Sequence, residues 1–301
     1  MDKINILVLG KSGQVARELA RAAWPSTWRV TCAGRDTLDL ITVDAGSLAA
    51  KLQNEDISIV INAAGYTAVD QAETESEQAF ALNAEAADRV ADACSSLGIP
   101  LIYLSTDYVF DGGKSAPYVE TDPVNPISVY GKSKAAGETA VRQRHAQHII
   151  LRTAWVFSPF GQNFVKTMLR LGAERDELSV VDDQHGSPTA ARDVAQAIVQ
   201  LTQRVLHDPD APYGTFHFAG TPPVSRYEFA CEIFRQAGDL DWPTPKAVHP
   251  IATDGYPAAA PRPNNAELDC AKIGAAYGIA PPNWAKALEN CLQELAQSRK
   301  S

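Results

Sequence analysis

The sequence predicts an α/β fold: a doubly wound parallel sheet with a smaller, α-rich domain interleaved in sequence. Three observations carry that prediction. Short apolar runs alternate with helical periodicity through the first half of the chain. The first run ends in a glycine-punctuated turn that opens a helix. Further on, Ser105-Thr106 close a strand, and Tyr130 and Lys134 follow on the next helix.

In chain order, Asn5 to Gly10 is an apolar strand running into Gly10-Lys11-Ser12-Gly13-Gln14-Val15-Ala16. Gly10 permits the tight turn, and Gly13 lets backbone N–H groups approach a pyrophosphate at the helix amino end. Ala16 supplies the small residue that lets helix and strand pack closely. A second strand, Trp28 to Ala33, ends in Gly34-Arg35-Asp36, with Asp39-Leu40 beyond. Val43 to Leu52 reads as a helix capped by Asp44. Ile57 to Ile61 is dominated by β-branched residues, as in a strand covered on both faces. It leads into Asn62-Ala63-Ala64-Gly65-Tyr66-Thr67, where a ribose and a nicotinamide would lie close to backbone. Helical pattern runs from Ala79 to Leu97, with Gly98 as its stop. Pro100 to Ser105 is a strand, the Tyr130 helix follows Pro126, and His148 to Arg152 is another strand. The alternation is read as six strands within about 150 residues. Beyond Trp155 helices are expected at Asn163–Leu171, Asp193–Val205, Tyr227–Ala237 and Trp284–Gln297, with strands at Leu178–Asp182 and Thr215–Phe218. The second of these strands is placed to join the main sheet. Residues 1–155 and 190–219 are assigned to a dinucleotide-binding domain, and 156–189 and 220–301 to a substrate domain.

Composition narrows the function. The 301 residues carry 27 basic and 36 acidic side chains, a net charge of −9, which argues against a nucleic-acid binder. An anionic substrate then needs local positive charge or backbone donors. The five cysteines are scattered and odd in number, which fits a reduced, cytoplasmic protein. No signal peptide or membrane span is read, and the histidines form no metal-ligand or hydrolase pattern.

Tyr130 and Lys134 are spaced i, i+4 and share a helix face. A lysine near a phenol favours the phenolate and lowers the tyrosine pKa. A strand-end hydroxyl can then hydrogen-bond the substrate oxygen that exchanges a proton with that tyrosine. Tyr108 and Trp155 also fit as core aromatics and Asp107 as a loop cap, while Ser105 reads as structural. Arg35 at the end of the second strand suits a 2′-phosphate clamp. NADPH is therefore expected to be preferred over NADH, with both accepted. Asp36 would weaken the clamp by pairing with Arg35 or repelling the phosphate, and Asp39 lies near the adenosine.

Taken together, Gly10–Val15, Asn62–Asp70, Ser105–Phe110, Tyr130–Lys134, Arg152–Val156, Asp183–Thr189 and Arg262-Pro263 resemble the extended short-chain dehydrogenase/reductases, and within them the dTDP-4-dehydrorhamnose reductases. The resemblance implies a Rossmann-type domain that uses NADPH or NADH to reduce the 4-keto group of a dTDP-4-dehydro-6-deoxy sugar, the last step to dTDP-L-rhamnose. It makes Tyr130 the general acid, Lys134 the residue orienting the nicotinamide ribose, and Thr106 the third catalytic hydroxyl. Val69, Asp107, Tyr108, Trp155 and Arg262 fall to the nucleotide-sugar substrate. Gly10, Ser12, Gly13, Gln14, Val15, Arg35, Asp39, Leu40, Ala63, Ala64, Gly65 and Tyr66 fall to the cofactor, with Tyr130 and Lys134. Alternatives are a reductase or epimerase of another nucleotide sugar, and a non-catalytic regulatory subunit resembling that of methionine adenosyltransferase. Dehydratases of the group carry Asp-Glu after the threonine; here Tyr108 follows Asp107. Some members dimerise through glutamates holding a metal. Glu18 matches one such position, but Arg192 stands at another, so no metal is expected, and the chain is expected to be a monomer or weak homodimer.

Overall fold

The computed structural model describes residues 4–255 and 257–300. Its centre is a six-stranded sheet built from β1 (Ile4–Leu9), β2 (Trp28–Ala33), β3 (Ile57–Asn62), β4 (Leu101–Thr106), β5 (His148–Thr153) and the strand Gly214–His217. From one edge the order is Gly214–His217, β5, β4, β3, β1, β2, and every neighbouring pair is parallel. Five strands, not six, lie in the first half of the chain. The sixth returns from beyond the long helix Ala191–His207.

Side chains alternate between the faces of a strand, and the strands use that to build two cores. Ile6 and Val8 of β1 face one cluster with Ile149 and Leu151 of β5, covered by the helices Gln14–Arg21 and Ala191–His207. Leu7, Leu9 and Ile150 face the other, covered by Ala45–Asn54, Ala86–Leu97 and Val129–Arg144. Asp44 caps its helix as expected, accepting from the Ser47 amide. The chain reverses direction across the sheet between β1 and β3, so a cleft opens at their carboxyl ends.

A third apolar cluster joins the helices Phe164–Glu174, Arg226–Gly238 and Trp284–Lys300 to the strand Glu177–Val181. That strand pairs in parallel with Ala247–Ile251, so the expected α-rich region also carries a small sheet. The pattern from Ala79 to Leu97 is three segments rather than one helix: Ser76–Phe80, a π-helical turn Ala81–Glu85, and Ala86–Leu97.

Candidate active site

One cavity of about 1180 Å³ runs along the carboxyl ends of β1 to β5 and under the Arg226 helix. Its near end is the turn after β1. Gly10 sits at φ +105°, and a Cβ there would lie 3.2 Å from the Ala63 carbonyl group, so only glycine lets the two loops meet. Gly13 begins the helix Gln14–Arg21 with no side-chain cap and no acidic residue in the first turn. A Cβ on Gly13 would meet nothing within 4 Å, so the orphan amides open onto free space. Those are the features a diphosphate requires, and a dinucleotide fits this end. Ser12, Val15, Arg35, Asp39, Leu40, Ala63, Ala64 and Gly65 line it as well. Gln14 lines the wall while accepting from Ser158 and Asn163 at 3.0 and 2.9 Å, which ties the turn to the next segment. Asp36 pairs with Lys11 at 3.0 Å rather than with Arg35.

Tyr66 is absent from the cavity wall. Its hydroxyl donates to Glu75 at 2.7 Å, and its backbone exchanges two bonds with the Asn83 side chain. What the loop presents to the cavity is Ala63, Ala64, Gly65 and Thr67.

The far end gathers the chemistry-bearing side chains. Thr106, ending β4, donates to Asp107 Oδ1 at 2.8 Å and accepts from the Tyr108 amide at 3.2 Å. Asp107 is only 1% exposed, and its Oδ2 has no hydrogen-bond partner. Burial pushes this carboxyl up to about 6, against the Thr106 hydrogen bond and the Arg226 charge. Ser128 caps the Tyr130 helix by accepting from the Gly131 amide at 3.1 Å, and the Tyr130 ring stands edge-on to Tyr108. Ser105 is spent on a structural bond, donating to buried Glu138 at 2.6 Å.

The expected Lys134–Tyr130 coupling takes a different form. The Lys134 ammonium donates to the Tyr103 hydroxyl and the Leu104 carbonyl, at 2.9 and 2.6 Å. Burial raises the Tyr130 phenol above its ordinary value, with a Thr106 hydrogen bond pulling it back, and lowers Lys134 to about 7. Desolvation is the largest cause for both groups, and the charges acting on the phenol are those of Asp107 and Tyr108 rather than the ammonium. A raised phenol pKa keeps the proton on Tyr130, the form an acid needs.

Trp155 adopts φ +45°, and a Cβ on Gly186 would fall 2.5 Å from its ring, so that glycine makes room for the indole. On Trp155 lies Arg226, which sequence reasoning missed, its guanidinium 3.5 Å from the ring centroid. Arg226 also hydrogen-bonds Tyr108, and its charge reaches Asp107. A capping box, Ser225 with Glu228, marked the start of its helix, yet nothing in the sequence aimed the side chain. Val69 lines the same end, and Arg262 is tied to Asp70 at 2.7 Å across the chain.

Away from the cavity, Glu18 is buried beside Arg21 and Arg192. Among the described residues no group of three His, Cys, Asp or Glu side chains is placed to hold a metal. No helix among them is long and apolar enough to cross a membrane.

The chain matches the family described as RmlD substrate binding domain over residues 4–297. It is 43% identical to a dTDP-4-dehydrorhamnose reductase of Sinorhizobium fredii over 282 residues, 93% of this chain and 94% of that one. The crystal structure of a dTDP-4-dehydrorhamnose reductase from Clostridium acetobutylicum superposes with a TM-score of 0.89 at 34% identity, covering 97% of this chain and 99% of that one. That of the Bacillus anthracis enzyme, solved in complex with NADP, gives 0.87 at 36% identity, covering 97% and 100%.

Proposed function

The chain belongs to the RmlD family of dTDP-4-dehydrorhamnose reductases, and from that premise we propose how its own residues perform the reduction. The reaction converts the 4-keto group of dTDP-4-dehydro-L-rhamnose to the hydroxyl of dTDP-L-rhamnose, the final step of dTDP-rhamnose synthesis. NADPH, when bound, supplies the hydride. The open amides at Gly13 would hold its diphosphate, and Lys134 would hold its nicotinamide ribose. Tyr130, kept protonated by burial, gives its proton to the substrate oxygen as negative charge develops there. With substrate in place Thr106 turns its one hydroxyl proton from Asp107 Oδ1 to that oxygen. The unpartnered Asp107 Oδ2 accepts from a sugar hydroxyl, because a buried carboxylate oxygen left unmade costs about 1–3 kcal/mol or more. Tyr108, Val69 and the Arg226–Trp155 stack wall the sugar from water.

Cofactor selection follows from charge. Arg35 lines the adenosine end, while Asp36, the residue best placed to repel a 2′-phosphate, is engaged by Lys11. NADPH is accordingly favoured over NADH, with both accepted.

The observation that carries this reading is the convergence of Thr106, Asp107, Tyr130 and Lys134 on one cavity whose other end is the glycine turn. Oxidation of NADPH, followed by absorbance in the presence of the keto-sugar nucleotide, tests it. Tyr130→Phe should retain cofactor binding and lose turnover by about 10²- to 10⁴-fold. Full turnover in that variant, with chemistry rate-limiting, would overturn the role of Tyr130. Cofactor binding by the wild type without any turnover would overturn the activity.

A further inference from the structure

Beneath Lys134 lies a chain of hydrogen bonds that the proton transfer itself does not use. The Lys134 Nζ donates to Tyr103 Oη at 2.9 Å and to the Leu104 carbonyl at 2.6 Å. Tyr103 is 1% exposed, and its own hydroxyl proton goes to the Asn83 carbonyl at 2.8 Å. A phenol has one proton. Its donation to Asn83 leaves only lone pairs facing Lys134, so the direction is set: ammonium to phenol to carbonyl.

The anchor is built into the fold. Asn83 lies in the π-helical turn Ala81–Glu85, where the regular bonding ladder is displaced and a carbonyl is free for another donor. Its side chain pins the turn by bonding the Tyr66 backbone and Ser133 Oγ. Gly137 leaves the space, since a Cβ there would fall 2.0 Å from the Asn83 carbonyl oxygen and 2.4 Å from the Tyr103 hydroxyl. An ammonium has three donors. Two are taken by β4, and the third faces the cavity that Lys134 lines.

We propose that Tyr103 is a positioning residue for the reaction: anchored on the Asn83 carbonyl, its hydroxyl holds the Lys134 ammonium charged and aims the remaining N–H at the cofactor. The proposal rests on the reading of Lys134 given above. The titratable groups acting on the ammonium are Tyr103 from β4 and Glu138 from its own helix, with Tyr130 one turn earlier on that helix. Glu138 is itself paired with Arg152 of β5 at 2.7 Å and with Arg142 at 2.6 Å, and His217 lies beyond Arg152 at 3.3 Å. The Glu138 field raises Lys134 against the burial that lowers it. That field stays when Tyr103 is altered, so the hydrogen bond can be isolated.

Tyr103→Phe keeps the ring, whose centroid is 4.1 Å from the ammonium, and removes the acceptor. Nitrogen NMR titration of Lys134 Nζ in the cofactor-free protein should then show its midpoint about one pH unit lower, a roughly tenfold loss of the charged form. NADPH affinity above that midpoint should weaken by a similar factor. The alkaline limb of kcat/KM should move down in pH by the same distance, with wild type and variant converging at acid pH. In a Lys134→Met background, Tyr103→Phe should weaken NADPH no further. If the Lys134 titration and NADPH affinity stay put while the melting temperature falls, Tyr103 merely satisfies Asn83 and the proposal is overturned. If Tyr103→Phe does not fold, a ring-fluorinated tyrosine at position 103, a poorer acceptor, should shift the same titration in the same direction; an unmoved midpoint there overturns the proposal too. Failure of the functional reading looks different, because a fully active Tyr130→Phe leaves the cofactor-free Lys134 titration as it was.

Discussion

Arg35 and Lys11 both line the glycine-turn end of the cavity, and on the proposed reading they contribute unequally to cofactor choice. Lys11 is already matched by Asp36, so the charge available to a 2′-phosphate comes mainly from Arg35. A charge-assisted bond of about 1.5–3 kcal/mol corresponds to roughly 10- to 150-fold in affinity; the pair is exposed, so the lower figure applies. Arg35→Ala is expected to cut the NADPH-over-NADH ratio of kcat/KM by about tenfold, mostly through KM for NADPH. Asp36→Asn should act oppositely, releasing Lys11 and raising the ratio several-fold. Unchanged ratios in both variants would remove this pair from cofactor selection. At the other end, Thr106, Asp107 and Tyr130 were legible because motif and strand end coincide. The Lys134 partners were not, since Tyr103 is a residue in mid-strand whose hydroxyl becomes relevant only through its register with the Tyr130 helix. Tyr66 misled for a related reason: its place beside Gly65 says nothing of Glu75, which takes its hydroxyl.

The helix Val129–Arg144 carries Tyr130 and Lys134, and it lies close to its neighbours. Besides Gly137 against Asn83, a Cβ on Gly131 would fall 2.2 Å from the Tyr108 carbonyl oxygen. Replacing a helical glycine by alanine ordinarily gains about 0.5–1 kcal/mol. Overpacking here costs about 1–3 kcal/mol and strikes backbone that cannot swing aside. Gly137→Ala should therefore lower stability in urea denaturation despite its better helix propensity; a stabilised variant would show that the helix has room to shift. Most elements were readable because a strand buried on two faces shows as an apolar run, as at Ile57–Ile61, and because Asp44 and Gly98 punctuate helices. The unreadable ones lack those signals. Ala247–Ile251 contains His249 and Pro250 and exposes both, so it reads as loop. The π-helical turn leaves no mark in the periodicity of Ala79–Leu97. The first half of the chain supplies only five strands of the sheet, because the sixth is the strand near Thr215 that the sequence also places in the sheet, paired with β5.

At the scale of the molecule, buried histidines tie stability to pH. His217 is fully buried between Arg152 and the Tyr118 carbonyl, and burial, reinforced by Arg152, pushes it down to about 3. Burial also lowers His145 and His148. The unfolded chain takes up these protons near pH 6.5 while the folded one does not, so stability is whole above that value and declines below it. Each histidine contributes up to about 1.4 kcal/mol per pH unit within its window. Asp107 opposes this below about 6, where its folded carboxyl keeps a proton that the unfolded chain releases; Glu18, Asp193 and Glu267, also raised by burial, act the same way at more acid pH, while lowered carboxylates such as Glu138 act with the histidines. The melting temperature should fall between pH 7 and pH 5, and less steeply in His217→Gln; a flat profile would contradict the assignment. The position of the outer strand bears on how the chain is made. Gly214–His217 is the last strand of the sheet to leave a ribosome, so β5 waits with an open edge. Until then the Arg152–Glu138 pair lacks the His217 side of its enclosure. Chains arrested before Gly214 clears the exit tunnel should be cut by added protease within β5, and chains arrested after Ala219 has cleared it should resist. Vectorial synthesis thus holds the catalytic sheet half-sealed until most of the polypeptide has emerged.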